Sequence, residues 1–195
     1  MANNSANVSV GKPMAAGGIY AGDTTLTPPT DATTELPSGL EGLGYVSDDG
    51  LTNGIEMDSE TIQAWGGDTV LTISTSRTET FSWTFIETNE EVLKQVYGPD
   101  NVSVTGGDIA VVHNSKALPR QLYVFEILMT GDKVKRIVVP NSQITEVGDV
   151  VYVDGEPIGY EVTLSCYPDE DGNTVYEYIS EIVDGDDGGG GGVEG

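Results

Sequence analysis

His113 is the single histidine of the chain and Cys166 its single cysteine. A transition-metal site needs several such ligands, and neither residue has a second His or Cys near it in sequence. Cys166 alternates with Val162 and Leu164, the pattern of a small buried hydrophobe rather than a nucleophile. His113 reads as a surface or strand-end residue. The stretches PDEDGN (168–173) and SDDG (47–50) have the composition of calcium ligands but not the spacing of an EF-hand loop. Turn chemistry accounts for both. Gly11-Lys12-Pro13 lacks the rest of a phosphate-binding loop, and Gly17-Gly18 and Gly106-Gly107 open no helix. With 32 acidic residues, no pair of carboxylates is singled out for acid–base work. Lys133, Lys135 and Arg136 form the one basic cluster, either a solvated hairpin or a contact for acidic patches on a neighbouring copy. No catalytic residue, cofactor site or metal-ligand set emerges, and no cofactor is expected.

The sharper signal is TISTSRTETFSWT, where every second residue from Thr72 to Thr84 carries a hydroxyl. A two-residue hairpin over Arg77-Thr78 would pair Thr72 with Trp83 and mix the faces. A continuous strand or an odd-length loop keeps Thr72, Ser74, Ser76, Thr78, Thr80, Ser82 and Thr84 together. The run exceeds the usual 5–6 residues of a strand, so a bend is expected near Ser76 to Thr78. Ile73, Phe81, Trp83 and Phe85 are then expected to face a core, leaving an uncharged, wettable opposite side.

The elements that must position this strand are mostly strands themselves. Tyr123, Phe125, Ile127 and Met129 alternate, as do Ile137 and Val139, and as do Ile158, Tyr160, Val162, Leu164 and Cys166. Val175 and Ile179 fit a last strand. One helix is predicted over about Asn89 to Tyr97, with Asn89 or Thr88 as N-cap, Glu90-Glu91 in the first turn, and Gly98-Pro99 as the stop. Residues 1–40 read as an extended N-terminal arm carrying one or two short strands, residues 41–183 as the folded domain, and 184–195 as a flexible acidic Gly-rich tail. Between Ser47 and Trp65 the density of turn residues predicts a long polar loop. The architecture expected is mainly β, an antiparallel sandwich or barrel-like sheet.

The net charge of −24 disfavours tight nucleic-acid or anionic-membrane binding. A single cysteine permits no intrachain disulfide. The start MANNSANVSV has neither the charge nor the apolar run of a signal peptide, which places synthesis in a cytoplasm.

The run LGYVSDDGLTNGIEMDSETIQAWGGDTVLTISTSRTETFSWTFIETNEEVLKQVYG, followed by KRIVVPNSQITEVGDVVYVDGEPIGYEVTLSCYPDEDGNTVYEYI, resembles the major tail proteins of long-tailed (siphovirus-type) bacteriophages of Gram-positive hosts. The resemblance spans roughly residues 12 to 180. It implies a tail-tube β-sandwich or half-barrel with one short flanking α-helix. It implies a non-enzymatic virion protein that forms stacked hexameric rings, with other tail proteins as partners and DNA passing through the lumen unbound. It also implies that the segment around Ser47, Asp48, Asp49, Asn53, Glu56, Asp58, Glu60 and Trp65 reaches neighbouring subunits. The hydroxyl face would be a wall or a seam of the tube. A carbohydrate- or host-surface-binding β-sandwich is the alternative, with Trp65 and Trp83 as candidate platforms.

Overall fold

In the computed structural model, residues 3–14 and 17–182 are described; the acidic tail from 184 onward lies outside them. The strands are β1 (Gly11–Pro13), β2 (Ile19–Asp23), β3 (Glu41–Gly42), β4 (Thr52–Gln63), β5 (Thr69–Phe85), β6 (Val102–Thr105), β7 (Asp108–Val111), β8 (Gln121–Met129), β9 (Lys133–Val147), β10 (Tyr160–Cys166) and β11 (Tyr176–Glu181), with helix α1 at Glu90–Tyr97. The main sheet runs β3-β2-β8-β9-β10-β5-β4, with β1 also on β8 and β11 also on β9; β6 and β7 form a separate hairpin. All the pairings are antiparallel, so the mainly β expectation holds.

β9 turns the corner of this sheet. Its first part pairs with β8 and β11, and its end pairs with β10. The β8–β9 register shifts where Pro140 falls, a place where a missing N–H is tolerated. The sheet therefore curls, and Phe81 of β5 stacks on Phe125 of β8 at 5.0 Å although two strands lie between theirs. The curl gives a sandwich-like core without barrel closure. Trp83 joins it edge-on to Phe85 and Phe125. Trp83 is 3 % exposed, so the expected burial of Phe81, Trp83 and Phe85 is met. Its indole Nε1 has no partner among the described residues, an orphan that costs about 1–3 kcal/mol.

α1 packs on this core through Val92, Leu93 and Val96. Its predicted start is correct: Asn89 Oδ1 accepts from the Val92 N–H at 2.8 Å, and Gly98 closes the other end at φ 95°. Tyr123 donates to Gln95 Oε1 at 2.6 Å, tying helix to sheet; its burial raises the phenol pKa far above the usual value.

A second apolar layer lies on the other face of β8 and β9. The segment 24–40 crosses it as a strap, with Leu26, Leu36 and Leu40 over Leu122, Val124 and Val138. Buried Arg136 fastens the strap. Its Nε donates to Glu126 at 2.9 Å, and its Nη1 donates to the carbonyls of Asp31 (3.0 Å) and Thr34 (2.8 Å). The basic cluster is thus neither a solvated hairpin nor a free docking patch. Lys135 and Lys133 pair with Glu177 and Glu181 of β11, and Arg136 is internal.

Candidate assembly surface

β4 and β5 leave the body together as a hairpin. β5 holds its place in the sheet only from Thr80 to Phe85, where β10 pairs with it. From Thr69 to Thr78 its residues are exposed, as is almost all of β4. Sequence reasoning expected a polar loop over Ser47–Trp65. The structure instead gives a turn closed by Gly50 N–H to Ser47 O, and then a twelve-residue strand. The misreading has a physical cause: Asp, Asn, Gly and Glu are depleted in strands because most strands are half-buried, and this one is not buried at all.

The expectation of a bend or turn near Ser76 to Thr78 is met only in part: there is no turn, β5 is one 17-residue strand, and the irregularity is a bulge at Thr75. Two register shifts take the place of a turn. Asp58 faces Ser76 while Ser59 faces Ser74, leaving Thr75 as a bulge; Ile62 faces Leu71 while Gln63 faces Thr69, leaving Val70 as another. A bulge reverses the parity of everything beyond it. Ser76, Thr78, Thr80, Ser82 and Thr84 therefore share one face, and Thr72 and Ser74 fall on the other. Ile73 joins the hydroxyl face and is 45 % exposed, so it does not face the core as expected.

The predicted site residues spread along this ribbon. Ser47, Asp48 and Asp49 form the entry turn, and Asn53, Glu56, Asp58 and Glu60 lie on β4. Partner parity puts Asn53 on the face of Phe81 and puts Glu56, Asp58 and Glu60 on the opposite one. Trp65 stands at the tip, 107 % exposed, followed by Gly66 (φ 123°) and Gly67 (φ 97°), whose backbone the reversal requires. Missed in the sequence were the apolar side chains beside them: Ile55, Met57, Ile62, Val70, Leu71 and Ile73 are between 45 % and 68 % exposed. The spacing of Ile55 and Met57 was the available signal. A two-stranded ribbon is marginal in water by itself, and apolar exposure of this kind marks an interaction surface.

The ribbon is anchored at its root by Glu79, which is 6 % exposed. Its carboxylate meets Arg77 at 2.9 Å and accepts from Thr174 Oγ1 at 2.7 Å, while Arg77 donates to the same Thr174 oxygen at 3.1 Å. Strand β5 is thereby fixed to the 167–175 loop. A second exposed apolar group, Val151, Tyr152 and Val153, lies in the β9–β10 connection.

The residues first considered for chemistry are structural. The Cys166 thiol is buried and its pKa pushed up to about 12 by desolvation. Exposed His113 stacks on Tyr97 at 4.3 Å. In PDEDGN, Asp169 is engaged internally, accepting from the N–H groups of Asp171 and Asn173 and from the Tyr176 hydroxyl at 2.7 Å. These bonds hold its pKa below the usual carboxylate range. Among the described residues no group of three or more His, Cys, Asp or Glu is placed to hold a metal. No helix there is long and apolar enough to cross a membrane.

The family model described as phage tail tube protein matches residues 1–186. The chain belongs to that family. Among solved structures, the chain is similar to the one titled "Cryo-EM structure of the anti-feeding prophage cap (AFP tube terminating cap)", at 10 % identity and TM-score 0.41, covering 92 % of this chain and 100 % of that one. No curated protein matches it.

Proposed function

We propose that this tail tube protein is a non-enzymatic virion subunit that assembles with itself into stacked hexameric rings. The rings form the tube through which genomic DNA passes, in a long-tailed phage of a Gram-positive host. The observation that carries the reading is the β4–β5 ribbon, which exposes apolar side chains on both faces beyond the point where its own fold covers them. In this reading the segment from Ser47 to Trp65 contacts neighbouring subunits. Charge supports the DNA role. Six of the eight basic side chains lie in ion pairs with carboxylates among the described residues. A wall whose cations are neutralised by its own acids does not grip phosphate. Assembly then works against a net charge of −24, so added salt promotes it by screening.

Electron microscopy of the purified chain over a range of salt and protein concentrations tests this, with rings or tubes as the expected result. A protein that stays monomeric throughout, and is absent from phage tails, would sink the reading. The second reading, a carbohydrate- or host-surface-binding module, draws on exposed Trp65; buried Trp83 is lost to it as a platform. Glycan binding by the free subunit without polymerisation would favour it.

A further inference from the structure

The fully exposed tryptophan at the ribbon tip has a counterpart elsewhere on the molecule. A groove of about 860 Å³ lies between the strap and the start of β11. Pro28 and Pro29 line it on the strap side, and Pro168, Tyr176 and Tyr178 line it on the other. The two tyrosine rings are nearly parallel, 2° apart with centroids at 6.5 Å. The Tyr176 hydroxyl is locked by Asp169 and Asn173, so its ring is held in place. We propose that Trp65 of one copy seats in this proline–tyrosine groove of a second copy of the chain. The proposal rests on the self-assembly reading and names the partner surface of the ribbon.

Three observations select a second copy as occupant. The first is chemistry: an indole gains most from a preformed apolar and aromatic slot that still offers acceptors for its N–H. The carboxylates of Glu170 and Asp171, which also line the groove, are such acceptors. The second is charge. Copies carrying −24 repel, so contact is cheapest where charge is absent. The tip Ala64-Trp65-Gly66-Gly67 carries none, so it meets the uncharged strap run Thr24–Thr30 and the acidic wall of Asp169, Glu170 and Asp171 without adding a like charge. The third is reach. Arg77 pairs across the ribbon with Met57 and bonds to Thr174 of the groove-side loop. From Met57 to Trp65 the strand rises about 25 Å away from that point, so a tip cannot enter its own groove. Knob and groove are different surfaces, hence each copy both gives and receives. Such head-to-tail contacts propagate into rings or filaments.

The test uses intrinsic fluorescence of the full chain before and after assembly. Trp83 is buried at 3 % exposure and Trp65 fully exposed, so a change in acrylamide quenching reports on Trp65. On assembly its quenching constant is expected to fall severalfold, as for a ring shut off from water at an interface core. In parallel, Ala64→Cys copies are mixed with Thr27→Cys copies, both positions being exposed and Cys166 buried. Disulfide dimers containing one of each are expected in the assembled fraction. Tubes in which Trp65 stays as quenchable as in the free subunit, and in which no mixed dimer forms, would overturn the seat and leave self-assembly standing. A chain that never assembles would overturn both.

Discussion

One strand spans two regimes. Between Thr80 and Phe85, β5 alternates buried and half-buried side chains under the curl of the sheet; between Thr69 and Thr78 the same backbone is exposed throughout. Both halves are extended and both are paired with β4. What differs is the covering. Phe81 has Phe125 against it, while Ile73 and Leu71 have solvent. Period-two patterning therefore specifies a strand, and it does not specify whether the cover comes from the same chain.

The strongest test of this contrast is excision. Replacing Glu56–Thr78 by a two-glycine turn removes the ribbon and leaves the root and the body. We expect assembly to be abolished, as read by sedimentation and microscopy, with a cooperative thermal transition retained. Intact tubes after excision would break the comparison.

Point substitutions sharpen it. Phe81→Ala should cost the free subunit about 3–5 kcal/mol in chemical denaturation, the range for a buried aromatic. Ile73→Ala should cost within about 0.5 kcal/mol, as at an uncovered surface, while weakening assembly. Equal costs at the two positions would mean that the ribbon is covered within its own chain.

The root should behave as an intermediate case. Glu79→Ala strips Thr174 of its acceptor and leaves Arg77 with the Thr174 hydroxyl alone. Arg77 is 45 % exposed and recovers solvation, so a cost of about 1–2 kcal/mol is expected. Amide exchange should quicken along β5 from Thr69 to Glu79 and stay unchanged in β8. Uniform quickening would argue against Glu79 as the anchor of the ribbon alone.

The smallest expected effect is acid loosening of two body segments. Asp31 accepts from Thr33 and Thr34 in the strap, and Asp169 organises the groove-side loop. Hydrogen bonds from the Thr34 side chain and from the Tyr176 hydroxyl are the leading causes that hold the two carboxyls below the ordinary aspartate value of about 3.9. The stability they add is present above that value and lost as pH falls through their lower folded values. Exchange protection of the strap and of residues 168–173 should decline from about pH 4 downward. Protection that persists to the lowest pH at which the core stays folded would show that Arg136 and the strap leucines hold the strap without Asp31.

The body was readable because its side chains obey local rules. Asn89 caps α1 as its type and position dictate, and β10 buries Tyr160, Val162, Leu164 and Cys166 in strict alternation. The strap was not readable. Its hold on Arg136 links residues about a hundred positions apart, and no local pattern encodes that. β4 was hidden by its polarity. The bulge at Thr75 was hidden too, because Ser74, Thr75 and Ser76 are chemically alike and nothing in their order marks the extra residue.

That bulge sets a handedness for the ribbon. An inserted residue strengthens the local right-handed coil of a strand pair, and here two such residues lie within the outer half of one hairpin. A ribbon coiled in this way cannot lie flat along a plane. Removing Thr75 would leave Val70 as the one bulge of the ribbon and weaken its coil. The coil of the arm is thus written into the chain by two residues, Thr75 and Val70, without partners opposite them.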